Sequence, residues 1–343
     1  MLGMMCLAML CGCADSERGY KAGHLSGVIW GTAYNITYKE YPTLGEVEIT
    51  EAVFEALDGV DMAANAFNAQ SEVSVFNATG RLTGASDVFR HLYARSEEIN
   101  RLTGGAFDPT VAPLVNLWGF GRSEGNVNPT EQDIALALAT VGMDNINVKD
   151  SAFTAVKDGV QLDFAAIAKG YGVDCAATAL KNMGIEDFMV EIGGEVRVSG
   201  CNPHGESWAI QIDAPSLDTT GSHTRLAIVR LTDAAVATSG NYRNFHTDDK
   251  GNLVGHTISP VTGRPVQTEI LSASVFAEET LTADALATAS MVMGMDAATE
   301  TIKRLADDPQ SGVYGAIFVT SEGERFVIHP VALNGQHVEI TTR

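Results

Sequence analysis

Between Phe188 and Phe245 the chain offers five strand-like segments in a row and no helical one: Phe188–Ile192, Glu195–Ser199, Trp208–Ile212, Leu226–Leu231 and Ala235–Thr238. A run of strands joined by short connections favours antiparallel pairing, because parallel neighbours need long crossovers. Helical patterns lie on either side of this run. Glu46–Met62 sets Ile49, Ala52, Val53, Ala56, Leu57 and Val60 three and four residues apart, the repeat of an amphipathic helix. Ala85–Leu102 repeats the pattern and stops at Gly104-Gly105. Further helices are expected from Thr130 to about Val141, over Ala165–Met183 before Gly184, and over Thr282–Met293 and Asp296–Asp307. A strand over Gly27–Tyr38, short strands at Ile146–Val148 and Val160–Leu162, a strand at Leu271–Phe276 and a closing hairpin at Gly315–Ile328 complete the reading. Helices and strands mix without strict βαβ alternation, so the expected class is α+β with a largely antiparallel sheet. No Pro-, Gly- or Ser-rich linker divides the 343 residues, which favours one compact domain over residues 26–343.

The chain carries 43 acidic against 22 basic residues, a formal charge of −21. Such a surface repels phosphate backbones and argues against a nucleic-acid partner. No apolar run beyond residue 20 approaches the ~20 residues of a membrane span. The first eleven residues are apolar and lead into Gly12-Cys13-Ala14-Asp15, so residues 1–12 are expected to be an export signal. The Leu10-Cys11-Gly12-Cys13 order resembles a bacterial lipobox. That likeness makes Cys13 the lipidated residue, residues 13–25 a tether, and the location the periplasmic side of a bacterial membrane, with Asp15 pointing to the inner one. Processing at Cys13 leaves only Cys175 and Cys201, too few for a disulfide framework.

Several segments have the makings of a site. Gly104-Gly105-Ala106-Phe107-Asp108-Pro109 follows a helix, and its glycines permit either a C-cap or a close backbone approach to a ligand. Ile192-Gly193-Gly194-Glu195 reads as a bulge or tight turn between strands. In Leu162-Asp163 to Lys169-Gly170 an acid and a base bracket a helix start. They form either a cap with a solvated lysine or a grip on a polar, phosphate-bearing ligand. Asp284 and Thr288 stand four apart on one helix face. Together they offer hard oxygens suited to Mg²⁺, or simply a cap and a surface hydroxyl. His256 heads the segment His256-Thr257-Ile258-Ser259-Pro260, and no other histidine lies at metal-ligand spacing from it. Neither G-x-S-x-G nor H-E-x-x-H occurs, against the common serine hydrolases and zinc proteases.

Taken in order, these blocks resemble the FAD:protein FMN transferase (ApbE-type) family. The resemblance runs through Gly31-Thr32-Ala33-Tyr34, Ser71 to Asn77, Thr103 to Thr110, Leu114 to Gly121 and Asp163 to Gly170. It continues through Gly193-Gly194-Glu195, Ala237 to Arg243, His256 to Pro260 with Thr262-Gly263, and Ala283 to Thr288. It implies an ApbE-like domain that splits FAD with Mg²⁺, passes FMN to a threonine hydroxyl and releases AMP. The acceptors it implies are flavoprotein subunits of membrane electron-transfer complexes. Hydrolysis of FAD to FMN and AMP, or flavin binding without turnover, are the alternatives.

By the same resemblance, Ala106, Phe107 and Asp108 line the FAD site, Asp163 and Lys169 grip its polar parts, and Ile258 touches the nucleotide. The carbonyl of Ala166 with the side chains of Asp284 and Thr288 holds Mg²⁺, and His256 is the base for the attacking hydroxyl. Trp30 stands where many members have Met, and Phe67 keeps a ring for stacking but lacks the family's tyrosine hydroxyl. Ser259 replaces a frequent Asp, and Ala287 stands where some members add a second acidic metal ligand.

Overall fold

Strand β1 (Ala22–Ile29) turns back into β2 (Thr32–Lys39) through Trp30 and Gly31, whose φ angles of 50° and 76° suit the twist of a two-residue hairpin. The single strand expected over Gly27–Tyr38 is therefore a hairpin. Its turn was hidden because a tryptophan occupies a left-handed position that more often takes Asn, Asp or Gly. Residues Ala22 to Leu25, the last four expected to lie in the tether, belong to the fold: β1 begins at Ala22, and the Tyr20 amide donates to the Pro203 carbonyl at 3.0 Å. The structure, a computed structural model, describes residues 19–122, 128–215, 224–240, 245–247 and 253–341. The signal peptide, Cys13 and the segment Asn241 to Arg243 lie outside the described residues.

The main sheet continues with β3 (Phe188–Ile192), β4 (Glu195–Ser199), β5 (Ala235–Gly240), β6 (Ser272–Ala277), β7 (Val313–Glu322) and β8 (Arg325–Val331). Its eight strands lie side by side in chain order, each antiparallel to its neighbours. Inserted between β2 and β3 are α1 (Glu46–Ala64), α2 (Glu72–Thr79), α3 (Asp87–Leu102), α4 (Ala112–Leu117), α5 (Glu131–Leu138) and α6 (Ala165–Asn182). Between β6 and β7 come α7 (Thr280–Met293) and α8 (Met295–Ala306). The expected α+β class is what the chain adopts, and β7 reads as an almost unbroken apolar run because both of its faces are covered. Ala316 and Phe318 pack toward the helices, while Ile317 and Val319 pack into a second core under a smaller sheet.

That smaller sheet sets Arg225–Leu231 between Trp208–Asp213 and Val338–Thr341, a closing strand the sequence pattern did not reveal. A third sheet joins Arg81–Leu82, Ala152–Ala155 and Ile146–Lys149. Val160–Leu162 is no strand. The Asn77 side chain pairs with it instead, accepting from the Leu162 amide and donating to the Leu162 carbonyl, each at 2.7 Å. Helix α5 is shorter than expected, running from the Thr130 cap only to Leu138.

Candidate active site

The stretch held by Asn77 delivers Asp163 to the start of α6. The Asp163 amide donates to the Pro109 carbonyl at 2.7 Å, and its carboxylate accepts the Ala165 amide at 2.7 Å, so the side chain caps α6. Desolvation pushes this carboxyl above its ordinary range despite that amide. One and two-thirds turns on, Lys169 leans from α6 toward β4 and α7. Its Nζ donates to Glu195 Oε1 at 2.6 Å and stands 3.9 Å from Asp284 Oδ1. Desolvation draws the ammonium down, but the carboxylates of Asp284 and Glu195 outweigh it, and Lys169 titrates above its usual value.

Asp284 is buried on α7 and accepts the Gly170 amide on Oδ2 at 3.0 Å. The helix repeat points that same amide at the Ala166 carbonyl, so the two oxygens flank one N–H. Gly170 makes this possible: a Cβ there would stand 2.5 Å from the Thr280 carbonyl oxygen and 2.9 Å from the Asp284 Cβ. Thr288, one turn along α7, shares a hydrogen bond with the Ser239 hydroxyl at 3.0 Å. Burial pushes the Asp284 carboxyl upward against the pull of Lys169. Glu195 is only 4% exposed, and its Oε2 has no hydrogen-bond partner. Burial pushes its pKa up to about 7, the lysine opposing.

Asp163 and Lys169 open onto a cleft of about 980 Å³, at the upper end of the roughly 300–1,000 Å³ of ligand pockets, while Asp284 and Glu195 meet Lys169 from outside the lining of that cleft. Trp30, Phe67, Asn116, Phe120, Arg122, Asp163 and Lys169 are among the residues that line it. Phe67 is 72% exposed, so its ring is free to cover a planar ligand. The Trp30 ring rests on α6 where Gly172 leaves room: a Cβ there would lie 2.5 Å from Trp30 Cη2.

Ala166, Asp284 and Thr288 are not among the lining residues, and the other expected residues also lie apart from the lining. Ala106 and Phe107 are buried in the core beneath the helices, and the Asp108 carboxylate accepts the Thr110 amide at 2.8 Å and its hydroxyl at 2.5 Å. Their segment meets the cleft through Pro109, whose carbonyl anchors Asp163. Ile258 is buried beside Leu114 and Trp118, and His256 reaches the wall through Phe120, with ring centroids 6.3 Å apart at 66°.

The sequence reading missed Glu195 and Arg122. Glu195 ends the Ile192-Gly193-Gly194-Glu195 motif, whose two glycines signal backbone shape and not a carboxylate role. Arg122 follows Gly119-Phe120-Gly121 and donates from Nη1 to the Ser74 hydroxyl at 3.2 Å.

Among the described residues no group of three His, Cys, Asp or Glu could hold a metal ion. A carboxylate, an alcohol and a main-chain carbonyl are nevertheless the hard donors Mg²⁺ takes when water and substrate phosphate complete its shell. On donor chemistry Asp284, Thr288 and Ala166 fit that ion.

The model of the ApbE family matches residues 30–310. The FAD:protein FMN transferase of Vibrio cholerae is 36% identical over 306 residues, covering 86% of this chain and 87% of that protein. Among solved structures, the flavin transferase ApbE from Vibrio cholerae matches with a TM-score of 0.78 at 32% identity, over 91% of this chain and 97% of that one. The apo form of the Pseudomonas stutzeri flavinyl transferase ApbE gives 0.80 at 31% identity, over 91% and 95%.

Proposed function

This chain belongs to the ApbE family and is a flavin transferase, and on that premise we propose that it moves FMN from FAD to a threonine hydroxyl of a target flavoprotein with Mg²⁺, releasing AMP. The observation that carries the reading is the meeting of α6 and α7 beside the cleft, where Asp284 accepts the Gly170 amide and faces Lys169, which lines the cleft. Asp284, Thr288 and the Ala166 carbonyl would hold the metal, which when bound supplies positive charge against pyrophosphate oxygens. Arg122 and Lys169 add cationic charge to the same cleft, and in a chain of net charge −21 such local cations are what make a dianion welcome. Lys169 stays protonated at neutral pH because its pKa is raised.

In the proposed reaction the acceptor oxygen bonds to the FMN phosphorus, the bond from that phosphorus to the AMP oxygen breaks, and AMP leaves with the electron pair. His256 takes the hydroxyl proton, the work of a general base near neutral pH. Trp30 and Phe67 bracket the cleft with rings suited to the flavin or adenine. The acceptors we propose are flavoprotein subunits of membrane electron-transfer complexes. A lipid anchor at Cys13 would hold the enzyme beside them, on the periplasmic face of the inner membrane.

The test is incubation with FAD, Mg²⁺ and a candidate acceptor domain, read by mass spectrometry for one FMN on a threonine. Free FMN formed without dependence on the acceptor would favour hydrolysis instead. Asp284→Ala is expected to lower transfer at least about 100-fold by removing the one acidic metal ligand. An unchanged, still Mg²⁺-dependent rate would refute the metal assignment.

A further inference from the structure

Strand β4 pins helix α6 with two ion pairs of opposite polarity. Glu195 and Arg197 are two residues apart on β4 and therefore share a face. Val196 and Val198 turn the other way, into the core under the smaller sheet. Glu195 takes Lys169 of α6 at 2.6 Å, and Arg197 Nη1 takes Asp174 Oδ1 of α6 at 2.5 Å. Each of those α6 residues then reaches on to α7. Lys169 faces Asp284, whereas Asp174 meets the start of the helix: its Oδ1 accepts the Thr280 amide and its Oδ2 the Leu281 amide, both at 2.9 Å.

The first amides of a helix have no partner within it and are ordinarily capped by the preceding residue. Here the preceding residue, Glu279, makes no capping hydrogen bond with its side chain and pairs instead with Arg95 at 3.2 Å. The cap of α7 is thus supplied from another helix, by a carboxylate that is 8% exposed. Burying a carboxylate is costly unless it is paired and hydrogen-bonded, and Asp174 is both. A carboxylate at this end of a helix also meets the positive end of its dipole.

We infer that Asp174, held by Arg197, is a positioning residue for the metal site. It fixes α7 along α6 so that Asp284 and Thr288 present their oxygens beside the Ala166 carbonyl. The inference rests on the Mg²⁺ reading given above. Asp284 lies four residues beyond Thr280, one turn from the capped amides. Gly170 leaves no slack between the helices at that level. A shift of α7 on loss of its cap is therefore felt first by the metal ligands.

The experiment measures Mn²⁺ affinity by electron paramagnetic resonance, with FAD affinity without metal and thermal melting recorded on the same proteins. Asp174→Asn is expected to weaken Mn²⁺ binding about tenfold or more while metal-free FAD affinity stays within about twofold. Should that variant fail to fold, Arg197→Gln leaves the cap in place but frees it to move, and is expected to weaken Mn²⁺ about threefold or more. Leu305→Ala on α8, a destabilising change to the core that removes no partner of the cap, is expected to leave Mn²⁺ affinity as in the parent protein. Asp284→Ala separates the two readings. If it leaves Mn²⁺ affinity intact, the metal site itself is wrong. If it abolishes binding while Asp174→Asn and Arg197→Gln do not weaken it, or if Leu305→Ala weakens it equally, the positioning role is overturned.

Discussion

Glu195 keeps one oxygen on Lys169 and leaves the other without a hydrogen-bond partner inside the protein. Its pKa is near 7 in the fold, against 4.5 ordinarily, so the native state binds its proton more tightly than the unfolded chain does. Between those two values the unfolded chain carries fewer protons, and stability falls as pH rises, levelling off above about 7. In metal-free protein, Glu195→Gln is expected to flatten the loss of melting temperature between pH 5 and 7.5. Curves that fall in parallel for the two proteins would assign the titration elsewhere. His256 invites a different measurement, because its ring packs against Phe120, which lines the cleft. His256→Ala should lower transfer by about 100-fold, within the range for a general base, with FAD affinity within about threefold. Equal loss of both would make the ring a binding group.

Among the elements, α6 is the most tightly constrained, with α7 against one side at Gly170 and Trp30 against another at Gly172. Gly170→Ala is expected to destabilise the fold by about 1–3 kcal/mol, the usual cost of overpacking, because the atoms in the way include a main-chain carbonyl that cannot swing aside. Denaturant unfolding checks this, and a variant as stable as the parent would mean that the helices separate freely. The helix itself was legible from its apolar spacing and from Gly184. The service of its two glycines was not, because close approach depends on partners more than a hundred residues away. For the same reason Asp284 and Thr288 could be placed on one face of α7 from their spacing, while the Gly170 amide and Lys169 that meet Asp284 could not. The β1–β2 turn was lost to Trp30, which reads as a strand residue until the backbone is seen to bend there. Val160–Leu162 was misread for the opposite cause: it has strand composition, yet a side-chain amide rather than a strand pairs with it.

At the scale of the molecule, the absence of regular βαβ alternation was enough to give the class, and the sheet in chain order is its result. What periodicity could not supply is the closing strand Val338–Thr341, which joins a sheet whose other members lie more than a hundred residues earlier. The anchor we propose makes its own prediction: with the natural leader intact, Cys13→Ala should move the protein from the membrane fraction to the soluble one. Persistence at the membrane would remove Cys13 from that role.

Tyr20 is fastened to Pro203, and a few residues later the chain forms the hairpin whose tip is Trp30, at the mouth of the cleft. Whatever shape they take, the seven steps from Cys13 to Tyr20 reach roughly 25 Å at full stretch. On so short a leash the enzyme would patrol a thin shell above the lipid headgroups, and only a threonine carried within that shell would ever be offered a flavin.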